Sequence, residues 1–485
     1  MTPHEKRMAL LTLVVALVLE IVDLTIVNTA LPAIQQGIGA DPVHAQWIVA
    51  GYALSFALLL MAGGKLGDDY GYRRMFIWGV CGFTIASLGC GFARNGDELV
   101  AARLLQGATG ALMAPQSMAL LQVLFDPLER VSKLAMFGVI GGLAAIAGPI
   151  LGGLLIEADI LGLGWRLIFI INLPVGLIAI AAALRYLPAT RSSRSGQGHD
   201  LWGTVLFGGA VAALLWPLMQ SDAGGLSWPG LLPLLAVSPL GLAGWRHVAA
   251  RTAAGRAALF DPTILAIPTF RLGLGISVAF AAASAGFLLV FAFGLQAERG
   301  ETSLVTGLLH MPFGFGAMFG IGVLSRKLLP RFGKLIPLLG SLVMAVSTAL
   351  VLLAIGLNWP LMAVAPAMIL AGVGMGMTTG CVGSITFAQM DRAHAGAASG
   401  LLKTCQQLGS ALGVAIAGSA YFTWAGLLGT GPSPFSAAII SAVLLLCTWL
   451  AWRLPDDIFA DSSMASTPDT PPIRGFTPQI ELQNP

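Results

Sequence analysis

The sequence predicts an all-α polytopic membrane protein. Three observations carry that prediction: an apolar composition, fourteen windows long enough to cross a bilayer, and basic residues gathered in alternate connections. Hydrophobic residues make up 56% of the chain, charged residues 10%, and mean hydropathy is +0.83. A soluble domain would carry about 25% charged residues. A helix crosses the hydrocarbon core in about 20 apolar residues, so each window of that length is a candidate span.

Span 1 covers 8–31, behind Lys6 and Arg7. It lacks a small-residue cleavage site and is too long for a signal-peptide core, so it is read as a retained helix. Span 2, 44–64, ends at Lys65; Arg73 and Arg74 precede span 3, 75–93, and Arg94 separates it from span 4, 99–121. Arg130 and Lys133 lead into span 5, 134–156; Arg166 opens span 6, 165–187, whose far end carries Arg185, Arg191 and Arg194. Spans 7 and 8, 201–220 and 229–248, are followed by Arg246, Arg251, Arg256 and Arg271 at the start of span 9, 271–295. Arg299 precedes span 10, 303–325, and Arg326, Lys327, Arg331 and Lys334 connect it to span 11, 335–356. Spans 12, 13 and 14 cover 360–384, 396–421 and 435–453, with Arg392 between the first two and Arg453 and Arg474 at the end.

With the N-terminus placed in the cytoplasm, Arg94, Arg166 and Arg299 face outward and Arg103 and Lys403 lie in the membrane. The remaining 21 of the 26 basic residues face inward. That bias predicts cytoplasmic N- and C-termini and an even span count. A net charge of +3 spread along the inner face, instead of gathered in one patch, argues against a nucleic-acid partner. The five cysteines, Cys81, Cys90, Cys381, Cys405 and Cys447, all fall in spans and read as small packing residues, with neither a disulfide framework nor a metal spacing. No cofactor or metal is expected. From Pro455 onward the chain is rich in Pro, Ser, Thr and Asp and reads as a disordered cytoplasmic tail.

Four side chains of Asp, Glu, Lys or Arg type lie deep in the spans: Glu20, Asp23, Arg103 and Lys403. A carboxylate at the bilayer centre costs roughly 2.5–3.5 kcal/mol on insertion scales, so it needs a partner or a function. Glu20 and Asp23 are three residues apart and share one helical face, which suits a proton carrier. By helical rise, Asp23 sits about 12 Å below the outer end of span 1 and Arg103 about 6 Å inside the outer end of span 4, a gap the long guanidinium stem can close. The alternative is that Asp23 is a structural partner for backbone or Asn28. Glu20 and Lys403 are matched in depth, at about 16 and 18 Å, and are candidates for a pair between the two halves. Alternatively, Lys403 snorkels or loses its charge.

Other stretches add detail. Asp23-Leu-Thr-Ile-Val-Asn28-Thr-Ala-Leu-Pro32 closes span 1, and Gly64-Lys-Leu-Gly-Asp68-Asp-Tyr-Gly71-Tyr-Arg73-Arg74 follows span 2. Arg103-Leu-Leu-Gln106-Gly107 lies in span 4; span 5 carries Gly138, Gly141 and Gly142, then Gly148-Pro149-Ile-Leu-Gly152-Gly153. Trp165-Arg166-Leu-Ile-Phe169-Ile-Ile-Asn172-Leu-Pro174-Val-Gly176 forms span 6; Gly372, Gly374 and Gly376 lie in span 12, and Gly396-Ala-Ala-Ser-Gly400 through Gln407-Leu-Gly409-Ser-Ala-Leu-Gly413 in span 13. In these stretches the chain resembles the major facilitator superfamily, specifically its fourteen-span drug:proton antiporters, from about residue 20 to 453. The resemblance implies two six-helix halves, residues 1–190 and 251–455, with an inserted helix pair over 191–250 and the tail over 456–485. It departs from the family at Asp69 and Tyr72, where basic residues are usual, and at Lys403, where Asn is common.

Each motif also has a physical reading. Glycines after span 2 permit a tight turn, and Asp68 can accept from a helix N-terminus and pair with Arg73 or Arg74. The resemblance makes Gly64, Asp68, Gly71, Arg73 and Arg74 a cytoplasmic gate, against the alternative of a solvated turn. Gly138, Gly142, Gly148, Gly152 and Gly153 allow another helix to approach span 5 closely, and Pro149 removes a backbone hydrogen bond. The resemblance makes this an antiporter motif, hence export. Asn28, Gln106, His310, Met311, Lys403, Gln406 and Gln407 are candidate cavity residues, although lone side chains such as His310 are equally suited to packing.

The resulting expectation is a proton-coupled antiporter that exports drugs or amphipathic toxic compounds by alternating access, with Asp23, Glu20 and Arg103 coupling protons. It is expected to sit in a bacterial inner membrane and to act as a monomer on a small-molecule substrate and protons. Export of an endogenous metabolite, lipid or amino acid, or proton-coupled import, is the alternative. Neither an enzyme's nucleophile–base constellation nor a Walker A sequence is present, and the tail is too short for a sensor's output domain.

Overall fold

Several of the turns between helices have a local cause. Asp41, Asn95 and Thr302 accept a backbone N–H of the first turn of the helices that follow them, filling amide donors that a helix start leaves unpaired. Gly39, at φ 61°, ends the first helix in the left-handed region, and Gly71, at φ 93°, makes the one-residue break between the second and third. The structure is a computed structural model, and it describes residues 1–189, 200–219, 228–256, 258–390, 395–428 and 431–455. The tail expected over 456–485 lies outside these residues.

The long helices are α1 Pro3–Ile38, α2 Pro42–Tyr70, α3 Tyr72–Phe92, α4 Gly96–Leu124 and α5 Pro127–Ala158. They continue with α6 Gly164–Tyr186, whose first turns are irregular, and α7 Leu201–Met219 and α8 Leu234–Ala253. The second half holds α9 Pro268–Glu298, α10 Ser303–Phe332, α11 Leu335–Gly356, α12 Leu361–Thr386, α13 Ala395–Leu428 and α14 Ser433–Trp452. Among the described residues, twelve helices are long and apolar enough to cross a membrane. The expected count of fourteen includes α4 and α8, which stand outside those twelve. Polarity is the reason: α4 carries Asp97, Glu98, Arg103, Gln106 and Gln116, and α8 carries Arg246, His247 and Arg251.

Helix α4 nevertheless packs along both α2 and α3, while α1 packs against α5 and α6. In the second half α9 packs on α13, α12 lies against α10 and α11, and α14 covers α11. The halves meet where α5 lies on α10 and α2 on α13. Helices α7 and α8 pack on each other, and α7 leans on α2 and α13.

Candidate functional site

The deepest polar group of α1 organises the first half. Asp23 is fully buried and accepts three hydrogen bonds: from Arg103 Nη1 at 2.6 Å, Gln106 Nε2 at 2.8 Å and Asn172 Nδ2 at 3.1 Å. Arg103 also donates through Nε to the Ile48 carbonyl at 3.0 Å and through Nη1 to Gln106 Oε1 at 2.7 Å. Its guanidinium lies 4.4 Å from the centre of the Tyr52 ring, a cation–π contact inside the bundle. Asn172 passes the network to Ser87 at 2.9 Å, and Ser87 Oγ donates to the Phe169 carbonyl. A buried ion pair must be well hydrogen-bonded to offset its desolvation, and this one is. Through one carboxylate, α1 is tied to α4 and α6, and through its partners to α2 and α3.

One turn earlier on α1, Glu20 lies in the wall of a cavity of about 810 Å³. Its walls include Leu17 of α1, Lys65 and Asp68 of α2, Gln122 of α4, Arg256 and Asp261 between α8 and α9, and Lys403 of α13. These walls reach the end of the bundle that carries the N-terminus, where Asp68 is exposed. Glu20 and Lys403 thus border one cavity from opposite halves. No ion pair of 4 Å or less joins them among the described residues.

The opposite end is closed by backbone-level contacts between the halves. A Cβ on Gly153 would lie 2.6 Å from both Leu304 Cα and the Ser303 carbonyl oxygen, and one on Gly307 would collide with the Pro149 carbonyl. Within the first half, a Cβ on Gly152 would lie 2.9 Å from Ile26 Cγ1 of α1, and one on Gly148 would meet the Thr25 hydroxyl. Gln296 Nε2 donates to the Thr29 carbonyl at 2.9 Å, joining α9 to α1. The expected close approach along α5 therefore holds at Gly148, Gly152 and Gly153. It fails at Gly138, beside which nothing lies within 4 Å, and is loose at Gly142, 3.8 Å from Met318. Those two glycines lie nearer the open end.

Three other expectations change. Asp68 pairs with neither Arg73 nor Arg74: it accepts from the Tyr72 hydroxyl at 2.7 Å, while Arg73 donates to the Leu184 carbonyl of α6. The residue that departs from the family pattern, Tyr72, has captured the carboxylate. Asn28 is not a partner of Asp23, since its amide donates to the Leu24 carbonyl at 3.3 Å. The candidate cavity residues also do not share one cavity. Lys403 lines the large one, Asn28 and His310 line a separate void of about 10 Å³, and Gln106 belongs to the ion-pair network. Met311, Gln406 and Gln407 are among the lining residues of neither. Depth separates two of them: Gln407 is buried one turn along α13 from Lys403, which faces the cavity.

The Major Facilitator Superfamily model matches residues 13–414. The chain belongs to that superfamily. It is accordingly a membrane transporter and not an enzyme. A probable actinorhodin transporter of Streptomyces coelicolor is 35% identical, over 88% of this chain and 74% of that protein. The puromycin resistance protein pur8 of Streptomyces alboniger is 32% identical, over 92% and 91%. The putative multidrug resistance protein MdtD of Escherichia coli O157:H7 is 29% identical, over 94% and 95%. Among solved structures, a bacterial homolog of the human lysosomal transporter Spinster aligns at TM-score 0.67 and 18% identity, over 95% of this chain and 99% of that one. A D-xylose-proton symporter aligns at 0.66 and 14%, over 93% and 98%. At such identities these two superpositions speak to the superfamily fold alone.

Sequence reasoning overlooked Tyr52 and Ser87 and saw Asn172 only as part of a signature. Each is a polar side chain inside an apolar window, the same signal that singled out Asp23.

Proposed function

We propose that this transporter is a proton-coupled antiporter that expels drugs or amphipathic toxic compounds from a bacterial cytoplasm by alternating access. The observation that carries the reading is the placement of two carboxylates one turn apart. Glu20 borders a cavity open at one end, and Asp23 is sealed behind it against Arg103. Such a pair can exchange protons with that cavity in one state and with the other side in the next, while the closed end changes places with the open one. The relatives, among them a tetracenomycin C resistance and export protein of Streptomyces glaucescens, support export of bulky antibiotic-like compounds. Positive-inside bias supports a cytoplasmic position for the open end, whose walls carry Lys65 and Arg256. On this reading α4 and α8 also cross the membrane, since Arg103 of α4 must meet Asp23 at depth.

Within this scheme Asp23 binds the incoming proton and releases Arg103. Loss of the proton to the cytoplasm restores the ion pair. Glu20, Asp68 and Asp261 give the cavity wall negative charge, and Lys65, Arg256 and Lys403 give it positive charge, a mixed lining suited to amphipathic cargo. The transporter is proposed to act as a monomer. Inverted membrane vesicles energised by an imposed pH gradient, screened with cationic dyes and amphipathic antibiotics, test the reading. Uptake should collapse with the gradient, and uptake that is indifferent to it would overturn proton coupling.

A further inference from the structure

A buried tyrosine touches the partner of one carboxylate and packs in a cluster with the neighbour of the other, Arg103 beside Asp23 and Leu19 beside Glu20. Tyr52 of α2 is wholly enclosed, its ring held beneath the Arg103 guanidinium at 4.4 Å and against Phe56 at 6.0 Å. It packs in a cluster with Leu19 of α1, Leu60 of α2 and Ala111 of α4. Its hydroxyl has no hydrogen-bond partner. A Cβ on Gly110 would sit 3.1 Å from that oxygen, so the glycine leaves the room the hydroxyl occupies.

Leaving a hydroxyl buried and unpaired costs about 1–3 kcal/mol, and phenylalanine would fill the same space without that cost. A polar group kept under those terms calls for an explanation beyond packing. We propose that the Tyr52 hydroxyl passes protons between Asp23 and Glu20, connecting the sealed ion pair to the cavity. The proposal rests on the proton-coupled reading above.

The step balances without ionising the phenol. The oxygen lone pair of Tyr52 accepts the proton of a neutral Asp23 carboxyl as the phenolic proton moves to the Glu20 carboxylate. Rotation about the Cζ–O bond then restores the hydroxyl. One proton has moved from Asp23 to Glu20, Asp23 is left ionised, and the Arg103 ion pair re-forms, as the structure has it. Because neither carboxylate is within hydrogen-bond distance in this state, contact requires one bridging water or a swing of the Glu20 side chain. The cavity comes within one side chain of the Tyr52 cluster, since Leu60 belongs to both.

The test needs no known cargo. Purified protein in liposomes on a solid support is given a pH jump, and the transient current is recorded for the natural chain, Tyr52→Phe, Glu20→Gln and Asp23→Asn. The natural chain should show a current whose charge disappears in Asp23→Asn. Tyr52→Phe should keep the charge but deliver it about tenfold more slowly or worse, since a positioned proton-transfer group contributes a factor of about 10²–10⁴. Its melting temperature should stay level or rise. An unchanged rate in Tyr52→Phe would overturn the relay while leaving proton coupling intact, and a lowered melting temperature would make the hydroxyl a structural group. Absence of any Asp23-dependent current in the natural chain would remove proton coupling, and the relay with it.

Discussion

Asp23 and Arg103 meet at 2.6 Å with neither side chain reached by solvent, although 80 residues and two helices separate them in the chain. The contact lies one helical turn beyond the cavity wall at Glu20. Charge and access are thus separated by a single turn of α1.

Asp23→Asn should abolish accumulation driven by a pH gradient in inverted vesicles. The amide keeps an acceptor for Gln106 or Arg103 but strands the guanidinium charge. The stability cost should fall near the lower end of the roughly 3–5 kcal/mol that breaking a buried pair entails. Purified protein should still elute as a monodisperse peak, and gradient-driven uptake at the natural rate would reject Asp23 as the proton site.

The helical class, the order of the spans and the Asp23–Arg103 relationship were legible because they follow from window length and from the cost of charge in hydrocarbon. What the sequence left open depends on helical phase and on the state of the bundle. Rise per residue matched Glu20 with Lys403 in depth, and both do border one cavity. Depth says nothing of lateral distance, and an ion pair is not formed in this state. Likewise, a run of glycines on α5 marks a face for close packing, yet Gly153 is jammed and Gly138 stands open because only one end of the bundle is closed.

That asymmetry is testable. Alanine at Gly153 would press on backbone atoms of α10 that cannot rotate away, and overpacking of this kind costs about 1–3 kcal/mol, borne only by the state closed at that end. Spin labels at Leu154 and Leu308 should report a longer α5–α10 distance in Gly153→Ala. Gly138→Ala should leave the distance unchanged. Equal responses from the two variants would disprove a state-dependent contact.

Lys403 and Glu20 approach from opposite halves, so any closure of the cavity draws them together. The double change of Lys403→Ala with Glu20→Ala should impair turnover by less than the sum of the two single changes, because either single change also leaves one charge without its counterpart in the closed state. Additive effects in a double-mutant cycle would reject the pair.

The Tyr72 hydroxyl competes for Asp68 with whatever cation the carboxylate meets when the open end closes. Removing it as Tyr72→Phe should favour closure by about 1 kcal/mol, a shift of roughly fivefold between the states. Asp68→Asn should lower turnover at saturating substrate with KM little changed. A change in KM alone for Asp68→Asn would assign Asp68 to binding instead of gating.

Helices α7 and α8 are fastened at Asp200, just before α7. This carboxylate is buried and accepts from the Gly203 amide at 2.9 Å, the Leu259 amide at 2.9 Å and His247 Nε2 at 2.7 Å, with Arg251 at 3.8 Å. Lys65 holds the neighbouring carbonyl of Ala258 at 3.0 Å, so the same anchor fixes the segment that carries Arg256 and Asp261 in the cavity wall. Burial pushes the Asp200 pKa up, but the two amides and His247 outweigh it and hold it below the ordinary carboxylate value. A depressed value in the folded state means that Asp200 contributes stability above its unfolded-state pKa of about 4, and that this contribution is lost as pH falls through the lower folded value. Melting temperatures measured from pH 7 downward should therefore decline more steeply below about pH 4 for the natural protein than for Asp200→Asn. At neutral pH Asp200→Ala should lose about 1–3 kcal/mol for each amide it leaves unpaired. Parallel acid profiles for the natural protein and Asp200→Asn would show that this carboxylate is not what ties α7 and α8 to the cavity rim.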